Sequence, residues 1–305
     1  MKDEFEEAGQ LDDDRVQQPA RRFLRKYPWA MVLVAMLFVV VPFLSWYGTW
    51  FGRPLSDSGL TEYLNDSEKP RHVQQALEQI VGRINHHDKS ASQWYPRVAQ
   101  LAHHPVAQVR EMAAWAMQYD DTFDGFHGAL LFMLNDPDPL VRHQSALSLV
   151  SFGDATGRQE IVAMLKPYAL QSPIAGKATA MFKEGDAVAA NAPVVRIEGA
   201  GGKKLEVKTA QAGRVERVNV VDGAEVTPNQ EVVILSPSIE QVWEALRALY
   251  IVGRPEDINA VQQYTLDLPG MPDRVRQQAA ATTDAIRSRA QQPAAATDPI
   301  PSKSQ

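Results

Sequence analysis

Beyond residue 52, the chain is dominated by stretches in which apolar residues recur every three or four positions. This spacing places apolar side chains on one face of an α-helix. Five stretches show it: Leu64–Val81, His103–Met117, Leu134–Val150, Ser236–Asp257 and Leu268–Ile286. Four of these helices open on a valine and the other has Gln241 in the matching place, the valines being Val73, Val109, Val141 and Val275. The pattern predicts helix pairs that repeat along the chain and stack to bury their apolar faces.

Two other stretches alternate apolar and polar residues, which is the pattern of half-buried β-strands. They are Ser172–Glu198 and Thr209–Ser236. Each contains, in this order, Ala-Gly, a short intervening segment, a glycine near an acidic residue, and an apolar strand. Gly176 therefore matches Gly213, and Gly185 matches Gly223. The repetition predicts a β domain built from two similar halves.

The intervals between the helix-opening positions locate this β domain within the helical pattern. They are 36, 32, 100 and 34 residues, so one of them is about 67 residues too long for a single repeat. Residues 170–236 have that length, and the helical patterns Gly157–Tyr168 and Ser238–Gly253 flank them. We therefore expect the β domain to be inserted in the turn between two helices of one repeat. Exposed turns tolerate insertions because the chain enters and leaves at nearly one place.

The most apolar segment of the chain, residues 26–51, precedes the repeats. From Trp29 to Phe51 it carries no charge, and its core spans about 26 Å as a helix, close to the hydrocarbon thickness of a bilayer. Aromatic residues stand at both ends, where membrane interfaces favour them: Tyr27, Trp29, Trp46, Tyr47 and Trp50. The segment is too long and apolar for a buried core helix and lacks a signal-peptide cleavage pattern after it. It predicts a single membrane-spanning helix that contacts the bilayer through residues 27–51.

Basic residues predict the orientation of that helix. Four of them lie just before the segment and only Arg53 lies just after it, the four being Arg21, Arg22, Arg25 and Lys26. The excess of positive charge places the N-terminus in the cytoplasm and residues 52–305 on the far side of the membrane. If the source is a bacterium, as the resemblances below imply, that side is the periplasm and the membrane is the inner one.

Composition restricts the classes of function. The net charge of −6 argues against a nucleic-acid partner. Residues 1–20, with seven acids and two bases, contribute −5 of it. They open an acidic cytoplasmic tail, residues 1–25, that we expect to be disordered. The Pro/Ala/Gln-rich residues 290–305 are also expected to be disordered. The chain has no cysteine, which excludes disulfides, thiolate metal sites and cysteine catalysis.

The helical repeats contain Asp-Pro turns and three Val-Arg pairs near the helix starts, namely Val109-Arg110, Val141-Arg142 and Val275-Arg276. In these features they resemble the HEAT-repeat family in its loose bacterial form. The resemblance implies an α-solenoid over residues 52–169 and 237–289. An unrelated helical bundle is the alternative.

The β domain contains Ser-Pro-x-Ala-Gly at Ser172–Gly176 and Glu-Gly-Asp at Glu184–Asp186. It thereby resembles the biotinyl/lipoyl domain, the barrel-sandwich hybrid that is also found in HlyD-like periplasmic adaptor proteins. The predicted class is thus multidomain α+β: one membrane helix, a solenoid of helix pairs and an inserted all-β domain. The sequence departs from the adaptor proteins in its connector of about ten residues between the halves and in the helices that follow.

The connector between the halves, Glu198–Val207, is where carrier domains of this family hold a lysine that takes biotin or lipoate. Here Gly202 falls at the carrier position, and Lys203 and Lys204 are its weak substitutes in a glycine-rich turn. The flanking residues do not match the carrier motifs, and the attaching enzymes are cytosolic. We therefore expect no cofactor and read both lysines as solvated.

Other candidate chemistry is sparse. The pairs His86-His87 and His103-His104 lie at different turns, so they do not predict one metal site. The acidic residues Asp120, Asp121 and Asp124 read as caps and a solvated turn. The glycines of residues 199–202 do not open a helix, as a phosphate-binding loop must. We find no catalytic constellation and expect no enzyme, although HEAT-like repeats also occur in bilin lyases.

These features predict a membrane-anchored periplasmic adaptor, an accessory subunit of an envelope complex such as an exporter. Its partners would be proteins of an inner-membrane complex. The expected contact surface is the hairpin between the β halves: Gly199, Gly201, Gly202, Lys203, Lys204 and Leu205. The alternatives are an assembly or stabilising factor of another inner-membrane complex, for example a respiratory enzyme, and a lipoyl or biotinyl carrier.

Overall fold

A computed structural model of the chain describes residues 33, 35–43 and 54–291. The chain divides into two units, residues 1–55 and 56–305. In the first unit, residues 33 and 35–43 are helical and their side chains are exposed. Among the described residues, no helix has the length and hydropathy needed to cross a membrane. Most of the predicted membrane segment, 26–51, and the predicted tail, 1–25, lie outside the described residues, as do residues 292–305.

The second unit contains ten α-helices among its described residues, seven before and three after a β region. They are α1 Asp57–Asn65, α2 Pro70–Asn85, α3 Tyr95–Gln100, α4 Ala107–Met117, α5 Asp124–Met133, α6 Pro139–Leu149, α7 Arg158–Ala163, α8 Ile239–Val252, α9 Ile258–Gln262 and α10 Asp273–Gln291. The even-numbered helices pack side by side in one layer, and the odd-numbered helices cover them. The helix starts follow their sequence signals, since Asp138 caps α6 ahead of Pro139 and Ser238 caps α8.

The same hydrogen bond recurs at two places in the even-numbered layer. The Ser148 hydroxyl in α6 donates to the carbonyl of Ala114 in α4 at 2.9 Å. The Thr282 hydroxyl in α10 donates to the carbonyl of Leu246 in α8, also at 2.9 Å. In both helices a glutamine one turn earlier donates to that hydroxyl. Because these residues are equivalent when the helices are aligned on their predicted openings, the helix pairs form a structural repeat.

Arginines link successive pairs. Arg110 in α4 binds both oxygens of Asp136 at 2.6 and 2.7 Å, and it donates to the carbonyl of His104 at 2.8 Å. Arg142 in α6 donates to the carbonyl of Asp136 at 2.9 Å and lies 3.3 Å from Glu160 in α7. Each arginine therefore holds the turn before its own helix and an acidic residue of the next pair.

The β region consists of eight strands: β1 Tyr168–Gln171, β2 Gly176–Ala180, β3 Ala187–Val188, β4 Pro193–Glu198, β5 Lys204–Lys208, β6 Gly213–Val218, β7 Ala224–Val226 and β8 Glu231–Pro237. They form two antiparallel four-stranded sheets with the orders β1-β8-β6-β3 and β5-β4-β2-β7. Exchanging the first four strands for the last four converts one order into the other. The two halves are thus equivalent, and each contributes two strands to each sheet. With the helices, these sheets confirm the α+β class.

Nine of the twelve buried apolar residues in the core of the β region are valines. Its buried apolar residues are Ala178, Val188, Val194, Val195, Ile197, Val207, Val215, Val220, Val226, Val232, Val233 and Leu235. Branching at Cβ favours strands, and burial of these side chains supplies the main stabilisation of the two sheets.

The boundaries of the β region differ slightly from those expected. The predicted helix Gly157–Tyr168 ends at Ala163, and Tyr168 already opens β1. Pro167 keeps the helix from reaching Tyr168, because a proline disfavours helical backbone at the residue before it. At the C-terminal boundary of the β region, β8 continues to Pro237, one residue past the expected end. The last helix, α10, continues to Gln291, two residues past the expected end of the repeats.

The chain segments that enter and leave the β region lie next to each other. Tyr168 at the start of β1 pairs with Leu235 near the end of β8. Helix α7, before the region, packs on α8, after it, and the Gln241 side chain donates to the carbonyl of Met164 at 3.0 Å. Residues 168–237 therefore leave and rejoin the helical layer at one place.

A buried ion pair closes this junction. Arg158 in α7 binds Asp257, which lies 99 positions later and is 3% exposed. Arg158 also lies 2.9 Å from Glu256. The second carboxylate oxygen of Asp257 accepts a hydrogen bond from the backbone of Arg254 at 2.8 Å. One carboxylate thus joins α7 to the turn that follows α8.

We expect Arg158→Ala to lower the free energy of unfolding by about 3–5 kcal/mol, because it leaves the buried Asp257 carboxylate without its cation. Urea denaturation of the full chain in detergent measures the change. Arg276→Ala is the control: Arg276 is half-exposed and lies 2.8 Å from the exposed Asp273, so the expected loss is about 0–1 kcal/mol. Equal losses for the two variants would contradict the proposed closure.

The matched glycines Gly176 and Gly213 have the same steric role. A Cβ at Gly213 would lie 2.5 Å from the carbonyl oxygen of Ser236, and one at Gly176 would meet the carbonyl oxygen of Glu198. We expect alanine at either position to destabilise the protein by about 1–3 kcal/mol. Gly82→Ala, in open space on α2, should stabilise it by about 0.5–1 kcal/mol. Thermal unfolding tests the opposite signs, and a stabilising Gly213→Ala would refute the steric argument.

Candidate interaction site

The predicted contact residues form the tip of the β4–β5 hairpin. Glu198 pairs with Lys204, and the loop between them closes with a hydrogen bond from the Gly199 amide to the Lys203 carbonyl at 2.9 Å. Gly201 and Gly202 have φ values of +73° and +75°, so the turn places two successive residues in the left-handed region. Glycine enters this region without the steric penalty that other residues incur.

The structure brings the six predicted residues of the tip together, but their side chains differ in solvent exposure. Gly201, Gly202, Lys203 and Lys204 are exposed, whereas Gly199 and Leu205 are half-buried. Among the described residues, neither lysine ammonium forms an ion pair or a hydrogen bond. Two free amines on a glycine turn are available to a partner.

The base of the hairpin that carries the tip is held by hydrogen bonds to the first strand of the β region. Strand β5 runs about 17 Å from the tip to Thr209, which is fully buried. The Tyr168 hydroxyl lies 2.7 Å from the Thr209 hydroxyl and donates to the carbonyl of Gln211 at 3.1 Å. Burial raises the pKa of Tyr168, so its hydroxyl stays protonated. The base of the hairpin is thereby fixed at the point where the chain enters the β region.

A row of alternating charges crosses the outer face of the sheet next to the tip. Glu225, Lys177, Glu198 and Lys204 are paired in register on the neighbouring strands β7, β2, β4 and β5. All four side chains are exposed. Opposite charges on adjacent strands stabilise a sheet modestly and leave the face with little net charge.

The histidines considered as metal ligands have other contacts. His103 packs its ring 4.5 Å from that of Phe132, and His104 is buried with its Nδ1 accepting a hydrogen bond from the Val106 amide at 3.1 Å. Burial lowers the pKa of His104. His86 and His87 lie at the end of α2, where His87 has a positive φ. Within residues 54–291, no three His, Asp or Glu side chains converge as metal ligands.

The acidic residues Asp120, Asp121 and Asp124 do not converge either. Asp120 accepts hydrogen bonds from the Tyr95 hydroxyl and from Thr122. Burial and the Asp120 carboxylate raise the pKa of Tyr95. Asp124 lies in the first turn of α5, where the helix dipole interacts favourably with a negative charge.

Sequence reasoning missed two polar contacts near the junction of the β region with the helices. Arg158 binds Asp257, and Gln211 reaches from the β5–β6 connection to His143 in α6. Neither pair carries a local signal, since the partners are 99 and 68 positions apart. The predicted membrane residues Trp29, Trp46, Tyr47 and Trp50 lie outside the described residues.

No protein-family model and no curated protein matches the chain. Among solved structures, a single-chain, multi-domain long-chain acyl-CoA carboxylase matches at 20% identity and a TM-score of 0.23, over 41% of this chain and 14% of that chain. The urea carboxylase of Kluyveromyces lactis matches at 17% identity and a TM-score of 0.22, over 42% of this chain and 10% of that one. The matched region is thus a small part of each carboxylase, and the likeness carries no conclusion about activity.

The left-handed turn at the tip predicts a graded response to substitution. We expect Gly202→Val to destabilise the protein by about 1–2 kcal/mol, because a branched side chain is strained at this φ. Gly202→Asn should cost less, since asparagine tolerates the left-handed region. Urea denaturation of both variants measures the difference, and equal stability of the valine variant and the natural protein would rule out the strain.

Proposed function

We propose that the protein is a membrane-anchored interaction protein that displays the β4–β5 tip on a rigid helical support. Residues 26–51 would anchor it in a bacterial inner membrane, with the described second unit in the periplasm. The helix pairs would be HEAT-like repeats, and the β region a biotinyl/lipoyl-like domain inserted in one of them. The protein would serve as an accessory subunit of an envelope complex such as an exporter.

The observation that carries this proposal is the double attachment of the β region. Strands β1 and β8 pair with each other where the chain enters and leaves, and α7 and α8 pack together just beyond them. A surface held in this way loses little conformational entropy when a partner binds, which favours docking. Repeated helix pairs also present extended surfaces that protein partners use.

Repeated contacts support the HEAT-like interpretation. The bonds of Ser148 and Thr282 to the preceding even-numbered helix are equivalent, as are the contacts of Arg110 and Arg142 with the turns before their helices. For the β region, the equivalent strand orders of the two sheets support a fold of two quasi-symmetric halves.

The same rigidity disfavours a carrier of lipoate or biotin. A carrier moves its modified lysine between sites, whereas the tip here is fixed to the helices through β5. Lys203 lies inside the turn and Lys204 already belongs to β5. The carrier remains the alternative function because both amines are exposed.

Affinity purification of the full chain in mild detergent tests the proposal. We expect a membrane partner to co-purify, at a fixed ratio if the protein is a subunit. The double variant Lys203→Ala, Lys204→Ala should reduce partner recovery severalfold without lowering the melting temperature, because both side chains are exposed. The matched control is Lys69→Ala, Lys89→Ala, which removes two exposed lysines far along the chain from the tip.

Three outcomes separate the functions. A protein that purifies alone and monomeric contradicts an interaction role. A partner recovered at variable, substoichiometric ratio favours an assembly factor over a subunit. An intact mass increased by a lipoyl or biotinyl group on Lys203 or Lys204 establishes the carrier instead.

A further inference from the structure

A cleft of about 270 Å³ lies between the loops at the base of the β region and the helices α4, α6 and α8. Its polar lining consists of Glu111, His143, Gln144, Gln211, Ser238, Glu240, Gln241 and Glu244, and its apolar lining includes Leu140, Leu147 and Met164. None of the described residues that line it is a lysine or an arginine. The cleft is separate from the β4–β5 tip, which is the surface that the proposed function uses.

One wall of the cleft has a buried acceptor without a donor. Gln211 is 8% exposed, and its side-chain oxygen has no hydrogen-bond partner among the described residues. Its amide nitrogen lies 3.5 Å from Nδ1 of His143, whose Nε2 lies 3.7 Å from Glu160. Burial lowers the pKa of His143, so the ring is neutral near pH 7. A neutral ring with its proton on Nε2, facing Glu160, offers Nδ1 as an acceptor and directs the amide nitrogen of Gln211 toward itself. The group missing at the amide oxygen is therefore a donor.

The other walls supply negative charge. None of the side chains of Glu111, Glu240 and Glu244 forms an ion pair or a hydrogen bond with the described residues. Burial raises the pKa of Glu111, and the nearby Asp138 raises it further. Glu240 and Glu244 are exposed at this cleft, and partial desolvation still raises the pKa of Glu244 against the opposing effect of Arg247. A bound cation would relieve these energetic penalties.

We propose that this cleft binds a guanidinium or ammonium group. Such a group combines positive charge for the glutamates with N–H donors for the Gln211 oxygen, and the neutral His143 does not repel it. The planar guanidinium can donate to a carboxylate and to an amide oxygen at once. The group can belong to a free organic cation or to an arginine side chain of a partner.

Isothermal titration of the full chain in detergent tests this site with two probes, agmatine and the peptide acetyl-Ala-Arg-Ala-amide. N-butylurea, a neutral molecule of similar length, is the probe control. We expect millimolar or tighter binding of at least one cationic probe and none of the urea. The isosteric variants Glu111→Gln and Glu244→Gln should each weaken that binding by about fivefold or more. Glu78→Gln, on the exposed face of α2, is the matched control and should leave it unchanged.

The outcomes are distinct. Preference for the peptide identifies a partner's arginine as the source of the group, and preference for agmatine identifies a free cation. Absence of binding by both cationic probes overturns the proposal, as does binding that persists undiminished in the Glu111 and Glu244 variants. Melting temperatures within 2 °C or so of the natural protein show that the variants are folded. Loss of partner recovery in the tip variants bears on the proposed function and leaves this result untouched.

Discussion

The position of the β region depends on closing the helix pair α7–α8 around it. The Arg158–Asp257 pair is the buried polar contact of that closure, and it joins segments that lie 99 residues apart in sequence. A buried ion pair contributes little net stability relative to well-packed apolar groups, yet each of its members is costly to leave alone. The pair therefore favours one arrangement of the insertion over others. An arrangement that separates α7 from the turn after α8 leaves two buried charges without partners, which costs free energy.

The closure and the β-sheets support each other. A β region of about 70 residues buries a small core, here mostly valines, and domains of this size are marginally stable by themselves. Fixing both of its ends reduces the conformational entropy that folding must overcome. In return, the β1–β8 ladder holds Tyr168 opposite Leu235 and so keeps the ends of α7 and α8 close. Neither half of this arrangement needs to be stable in isolation.

Local patterns in the sequence predicted local structure well. They did not predict contacts between residues that are distant in the sequence. The three- and four-residue spacing located the even-numbered helices, and the doubled Ala-Gly motif identified Gly176 and Gly213 as equivalent. The structure explains that equivalence by the same approach to a neighbouring carbonyl. The end of α7 was misplaced because a helical pattern was carried past Pro167. The pairing of Gln211 with His143 depends on how the β region folds back onto α6, which no local pattern encodes.

The charge pattern of the sheets restricts where recognition can occur in the proposed function. The exposed face of the β5-β4-β2-β7 sheet alternates in sign from Glu225 to Lys204, so it offers a partner little net field. Its edge strand β5 exposes Lys204, Glu206 and Lys208, and charged edges resist pairing with a further strand. Recognition is thereby left to the ends of the β region. At one end Lys203 and Lys204 lie at a glycine turn. At the other, three glutamates and, among the described residues, no lysine or arginine line a cleft. The two ends carry opposite charge, so a single partner surface could engage both only if it were itself divided in charge.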